Sequence, residues 1–343
     1  MSIIHEDLFK KVLQQPAGRG GDKLCAVVGY ATAAMAYRHF EELPSSVSMD
    51  LVVGMSPSEG IGRGDHRSFQ KLASIDYPER FSCRYLEHPP SVHAKVYVWL
   101  SGGKPLEGYV GSANYTQRAF FSGGREESLV PHDAGDCFDY CRRFLRVGVD
   151  CADPAVQEKI RIHEGRRPPA KGLYPERSPA RRAAKSVEVP QDRECVTIPL
   201  LDRSQELPDR SGLNWGQRPE YRRDRDQAYI RVPTEIARSG FFPPRGTHFT
   251  LATDDGESLD CVIRQDNAKA IHSRPSNALI GQYFRKRLGL PSGVLIRKKH
   301  LLGYGRTDVS ICRVDDENYV LDFSVSRSSG VSQGDSSSQC VPR

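Results

Sequence analysis

Nine cysteines are scattered through the 343 residues, yet no two form a C-x-x-C pair. Structural zinc sites and stapled secreted domains rely on such spacing, so neither is expected. Cys137-x3-Cys141-x9-Cys151 comes nearest to a ligand run and lacks a fourth ligand, which leaves buried free thiols as the expectation. Long apolar runs are also missing: no window approaches the roughly 18 residues a membrane helix needs. The opening residues include Glu6 and Asp7 where a signal peptide would carry bases. A cytoplasmic protein with no membrane partner is therefore expected. Gly18-Arg-Gly-Gly-Asp22 and Arg63-Gly-Asp65 lack the Lys-Ser/Thr of a phosphate loop, so ATP hydrolysis by this chain is not expected. No carboxylate cluster of the two-metal nuclease kind can be placed on neighbouring strands, and no metal or other cofactor is expected. Charge of one sign is in slight excess only, 49 bases against 43 acids.

At about 150 residues per domain, this length implies two domains plus connecting chain. Residues 1–160 alternate short apolar runs with amphipathic segments, as in Leu24–Gly29, Ala31–Leu43 and Met49–Met55. That rhythm predicts an α/β layer sandwich with a largely parallel sheet. Residues 161–203 turn to Arg, Pro and Ala, with eight bases from Arg161 to Lys185, and read as a basic linker. From 204 to 323 short alternating strands follow, at Ala228–Pro233, His248–Thr253, Leu259–Arg264, Asp308–Val314 and Tyr319–Phe323, with one helix at Ser276–Leu288. A mostly-β, barrel-like domain is predicted there, and residues 324–343, rich in Ser and Gly, read as a disordered tail. The absence of any internal repeat excludes tandem catalytic modules.

Chemistry concentrates between Val92 and Thr116. Along a strand, residues i and i+2 share a side, so His93 and Lys95 project together while Ala94, Val96 and Val98 face the opposite layer. After a turn at Ser101-Gly-Gly-Lys104, the run Glu107–Asn114 delivers Ser112 and Asn114 by the same alternation. A neutral imidazole can attack phosphorus, and an ammonium and an amide can donate to the oxygens where charge develops.

His93-x-Lys95 followed by Gly111-Ser112-x-Asn114 resembles the HKD signature of the phospholipase D superfamily, in the nuclease branch that includes BfiI-type restriction endonucleases. The resemblance implies a phospholipase D-like sandwich and a metal-independent phosphohistidine mechanism. The family's Asp five residues after the Lys is Leu100 here. A family Glu about eleven residues after the Asn falls near Arg125, with Glu126 favoured and Glu127 open as the carboxylate that orients the histidine. One motif per chain, in a superfamily whose sites use two histidines, implies a homodimer sharing one site.

Segments including Arg210–Gln217, Arg264–Ile271 and Leu279–Leu290 resemble the B3-like DNA-binding domain of the same enzymes, a pseudobarrel, and the whole resembles an NgoFVII-family restriction endonuclease. Two polar clusters fit base reading in double-stranded DNA: Arg210, Asn214, Trp215, Gln217 and Arg218, then Arg264, Gln265, Asn267, Lys269, His272, Arg274 and Asn277. Arg285, Lys286, Arg287, Arg297, Lys298 and Lys299 suit phosphates. Relatives of this kind can work with a separate helicase-like ATPase subunit, so ATP is expected only through such a partner. The competing readings are a phosphodiesterase of the same superfamily acting on another substrate, and a DNA-binding protein with a silent nuclease head.

Overall fold

Seven strands and four helices, introduced here in chain order, build the first domain of the computed structural model, which describes residues 2–121, 126–164 and 194–325. They are β1 (Lys23–Val28), α1 (Ala33–Glu42), β2 (Ser48–Val53), α2 (Arg63–Lys71), β3 (Phe81–Tyr85), β4 (Lys95–Ser101), β5 (Lys104–Gly111), α3 (Gln117–Phe121), β6 (Leu129–His132), α4 (Ala134–Val147) and β7 (Val149–Asp150). One sheet contains these seven strands, in the order β6-β5-β4-β1-β2-β3-β7, and a short two-stranded pair is separate from it. Only β1, β2 and β3 run parallel; the other neighbours are antiparallel. The sheet is thus mixed rather than largely parallel. Gly102 and Gly103 both adopt positive φ, 53° and 78°, which closes a two-residue turn and forces β5 back along β4.

Apolar layers cover both sheet faces. Leu24, Ala26, Tyr97 and Trp99 pack with the α1 side, whereas Cys25, Val27, Val96, Val98 and Leu100 pack with Cys137 and Cys141 of α4. Asp133 caps α4 by accepting from the Asp136 N–H at 2.9 Å.

The second domain comprises β8 (Cys195–Pro199), β9 (Ile230–Arg231), β10 (His248–Thr253), β11 (Ser258–Arg264), β12 (Ala270–Arg274), α5 (Ala278–Arg287), β13 (Asp308–Arg313) and β14 (Asn318–Asp322). Its sheet order is β8-β13-β14-β10-β11-β12-β9, with β10 and β14 parallel and the remaining pairs antiparallel. Phe249, Leu251, Ile263, Phe284 and Tyr319 fill its core. Because β8 pairs with β13, the domain begins upstream of the expected boundary at 204. Residues 161–164 likewise belong to the first domain, since Ile162–His163 pairs with Ile61–Gly62 and Glu164 pairs with Arg63. Residues 165–193 of the expected linker and the tail beyond 325 lie outside the described residues.

Cysteine behaviour differs from expectation at one place. Cys195 and Cys312 face each other across β8 and β13 and form a disulfide, while the other described cysteines are free and buried.

A polar seam joins the domains. The turn between β13 and β14 reaches the starts of α1 and α3: Glu317 accepts from the Thr32 hydroxyl at 2.5 Å, the Gln117 amide at 3.2 Å and the Arg118 N–H at 3.3 Å. Beside it Asn318 donates to Asp65 at 3.1 Å, and Asp65 accepts from the Ala33 N–H at 2.8 Å. Carboxylates at two helix starts are favoured by the orphan amide donors there. Farther along, Arg274 grips Glu41 with two bonds of 2.7 and 2.6 Å, and His248 bonds Asp260 at 2.9 Å with Glu41 3.6 Å away.

Burial opposes charge on the His248 ring, but Asp260 and then Glu41 outweigh it and raise its pKa to about 9. Such a histidine stabilises the folded chain fully below its ordinary value of 6.5, and that contribution is lost as pH rises through about 9. Desolvation, then the Asp315 charge, hold Asp65 above the usual carboxylate range. Docked Asp65 keeps a proton that separated Asp65 releases, so docking again weakens as pH rises above the ordinary carboxylate range. Denaturant unfolding should therefore show stability falling between about pH 6.5 and about pH 9, with His248→Gln removing the upper part of that dependence. Stability that is unchanged across the range would refute this account.

Candidate active site and DNA-reading face

Three strand ends meet at one edge of the first sheet. β1 ends at Val28, opposite Lys95 at the start of β4, and β5 ends at Gly111, just past the pairing of Val96 with Val110. The chain segments Gly29-Tyr30, His93–Lys95 and Ser112–Asn114 consequently converge. His93 lies two residues before the strand begins, in extended chain, and is exposed, while Lys95 and Asn114 are buried. The alternation places Lys95 on the side of Tyr97 and Trp99, as expected. Space beside the histidine is tight. A Cβ on Gly29 would lie 2.7 Å from His93 Cδ2 and 3.4 Å from Asn114 Oδ1.

Each polar group is held in a definite way. Lys95 Nζ donates to the His93 carbonyl at 2.6 Å, tying the ammonium to the loop that carries the imidazole. Asn114 Oδ1 accepts from the Tyr30 N–H at 3.0 Å, which turns its Nδ2 donors away from the backbone. Ser112 is exposed, and its hydroxyl accepts from the Ser128 N–H at 3.0 Å, linking β5 to the segment before β6. Glu126 is 83% exposed and stands 3.9 Å from His5. Glu127 is buried, and its charge adds to the burial that raises the Tyr97 phenol. Burial, then the neighbouring Lys95 charge, lower the His93 pKa, with Glu59 opposing them. The imidazole is thus neutral at physiological pH, the form that can attack an electrophile. A cleft of about 800 Å³ between the domains borders this cluster and shares Tyr30, Glu59 and Asn114 with it.

Several residues singled out for DNA reading have other partners. Asn214 is fully buried: its amide donates to the Pro208 and Ile296 carbonyls at 3.0 and 2.8 Å and accepts from the Ile296 N–H at 2.9 Å. Gln217 donates to the carbonyls of Arg225 and Gly293, both at 3.0 Å. His272 is buried, stacked on Tyr229 and bonded to Asn277. Arg274 is engaged with Glu41 across the seam. These five side chains brace the fold, because in this arrangement their polar atoms already face protein. Arg210 pairs with Glu220, and Arg218 donates to the Arg210 carbonyl. Trp215 lies 5.4 Å from the His272 ring, under the Arg223 guanidinium at 4.1 Å. By contrast Arg264, Gln265 and Asn267 are exposed and Lys269 half-buried, on a β11–β12 loop where Gln265, Asn267 and Ala268 all take positive φ. Non-glycine residues held there are costly, and such strain gathers at binding loops.

The set expected at phosphates changes likewise. Arg285 is buried against Asp226 at 3.1 Å, Arg287 grips Asp254, and Lys286 and Lys298 pair with Glu257 and Glu206. Arg297 and Lys299 remain exposed.

Comparison with known proteins agrees with this layout. Residues 6–157 match the NgoFVII restriction endonuclease N-terminal PLD domain, and residues 189–315 match the NgoFVII C-terminal B3-like DNA-binding domain. The chain belongs to the NgoFVII restriction endonuclease family. No curated protein matches it. Among solved structures, it is similar to a polyphosphate kinase from Porphyromonas gingivalis at 16% identity, over 38% of this chain and 18% of that one, with a TM-score of 0.26. NucT from Helicobacter pylori gives 13% identity, 43% and 97% coverage and a TM-score of 0.30. A hypothetical Arabidopsis thaliana protein gives 10%, 39%, 92% and 0.21.

Within the NgoFVII family frame, Leu100 has a physical reason. It sits an odd number of residues from Lys95, on the α4 side with Val96 and Val98, where a carboxylate would be buried in an apolar layer. Sequence reasoning missed Tyr30 and Glu59. A glycine and a tyrosine directly after an apolar strand were a usable signal, since α/β sites gather at strand carboxyl ends. Nothing local marked Glu59.

Two outcomes follow from this geometry. Gly29→Ala should leave the protein folded but displace His93, lowering any His93-dependent activity on the order of tenfold to a hundredfold; undiminished turnover would contradict the packing described. Asn214→Ala should cost about 2–3 kcal/mol in denaturant unfolding, through the buried groups it leaves unpaired, without changing which base pairs are preferred in a binding selection.

Proposed function

We propose that this protein is a site-specific deoxyribonuclease that cleaves by a metal-independent phosphohistidine mechanism, using a site shared by two copies of the chain. The observation that carries it is the convergence of a neutral His93, Lys95 and Asn114 at one sheet edge, in a chain that also holds a B3-like domain. One His93 imidazole attacks the phosphorus, and the P–O bond to the leaving oxygen breaks as the other copy's protonated His93 supplies that oxygen's proton. Water then attacks the phosphohistidine, giving a proton back to the second imidazole and releasing the first. Lys95 and Asn114 Nδ2 stabilise the five-coordinate phosphorus, where charge exceeds that of the ground state. Ser112 acts by holding the Ser128 strand rather than the substrate. Glu127 is the carboxylate assigned to bracing, because it is buried beside Tyr97 whereas Glu126 faces solvent. Two copies are required because each chain contributes one such motif. Where ATP drives the process, it acts through a separate helicase-like subunit.

Arg264, Gln265, Asn267 and Lys269 are the base-reading candidates that remain presented, together with exposed Arg210 and half-buried Trp215 and Arg218. Arg264→Ala together with Gln265→Ala should relax sequence preference by about 1–3 kcal/mol at one or two positions.

Purified protein incubated with plasmid DNA in EDTA, with and without ATP and a candidate ATPase partner, tests the reading directly. Cleavage at defined sites is expected, and His93→Ala should reduce it on the order of 10³-fold or more while leaving DNA binding intact. Retained cleavage in that variant would remove His93 from the chemistry.

A further inference from the structure

Tyr30 touches both active-site residues that come from different strands. Its N–H holds the Asn114 amide oxygen at 3.0 Å, and its ring stands edge-on to the His93 ring with centroids 5.4 Å apart. Its hydroxyl donates to Glu59 Oε1 at 2.6 Å. Glu59 ends a short helical turn, Ser56–Glu59, directly after the strand that follows β1 in the sheet, so it stands at the same sheet edge. From the chain beyond β7, Arg161 donates to the Glu59 carbonyl at 2.8 Å, pinning that turn.

We propose that Tyr30 and Glu59 form a positioning pair for the nuclease reaction, in which Glu59 anchors the Tyr30 hydroxyl and Tyr30 fixes His93 relative to Asn114. This rests on the proposed cleavage mechanism for its catalytic meaning, though not for its physical content. The charged groups around the imidazole are Lys95, which disfavours its proton, and Glu59, which favours it; Arg161 and His163 face Glu59 in turn. A reaction in which one histidine must be neutral and its counterpart protonated needs a pKa near the working pH. Burial and then the Lys95 charge both lower the His93 pKa. Glu59 offsets that drop, and removing its charge must let His93 lose its proton at lower pH.

The test follows His93 itself as well as cleavage. Full-length protein carrying labelled histidine is titrated by NMR, with the His93 signal assigned by its loss in His93→Ala. Glu59→Gln should shift the His93 midpoint to lower pH, and the pH–rate profile of DNA cleavage should move the same way with a rate loss of roughly tenfold. Glu59→Asp should restore most of both. Tyr30→Phe, which removes only the hydroxyl, should give a smaller shift in the same direction and serves if Glu59→Gln does not fold. A folded variant whose His93 midpoint stays at the wild-type value overturns the proposal. A shifted midpoint in a protein that cuts no DNA leaves the pairing standing and sinks the proposed function instead.

Discussion

Burial of β4 on both faces is the constraint from which the site follows. With Tyr97 and Trp99 in one apolar layer and Val96, Val98 and Leu100 in the other, the strand has one tolerable register. A slip by one residue would drive the Lys95 ammonium into the layer under α4, at a cost of several kcal/mol for an unpaired buried charge. Fixed register places Lys95 opposite Val28 and its neighbour Val96 opposite Val110. Gly29, Tyr30 and Asn114 then have nowhere else to be. The Trp99 indole, donating to the Val12 carbonyl at 2.8 Å, and the Tyr97 hydroxyl, donating to the Ala113 carbonyl at 2.8 Å, tie the flanking chain to the same strand.

A second constraint is polar and acts between domains. Glu317 satisfies donors at the start of α3, and Asp65, itself bonded to Asn318, satisfies one at the start of α1. The Tyr115 N–H donates to the Tyr30 carbonyl and the Thr32 N–H to the Tyr115 carbonyl. The seam therefore bears on the segments that carry Tyr30 and Asn114, and the geometry of the nuclease edge is coupled to how the second domain sits. Among the described residues Glu41, His248 and Asp260 could approach a metal ion, with ligand atoms within 4.8 Å of one another. Arg274 already grips Glu41 and the His248 ring is held protonated, so two cations balance two carboxylates there without one.

How much of this was legible varied with the range of the interaction. His93, Lys95, Ser112 and Asn114 could be found because strand alternation and motif spacing are local properties. The strands at His248–Thr253 and Asp308–Arg313 were legible for the same reason, through turn residues and alternating pattern. Asn214, Arg274 and Arg285 were misread because an exposed reader and a buried brace have identical composition. Only the chain brought to them by folding, Ile296, Glu41 and Asp226, distinguishes the two. The Cys195–Cys312 pair could not be read either, as its 117-residue separation carries no spacing signal.

By itself, the sequence determined two domains, their α/β and mostly-β characters, and that His93, Lys95, Ser112 and Asn114 lie close to two neighbouring strands. All of these rest on periodicity, composition and short spacing. Tertiary structure alone decided that the first sheet is mixed, that Tyr30 stands beside His93 with Glu59 bonded to it, that Glu127 rather than Glu126 is buried, and that five of the twelve apparent DNA readers hold the protein together. The physical reason is that burial and partnership are properties of chain segments meeting across tens to hundreds of residues, and a side chain's chemistry is set by what it meets.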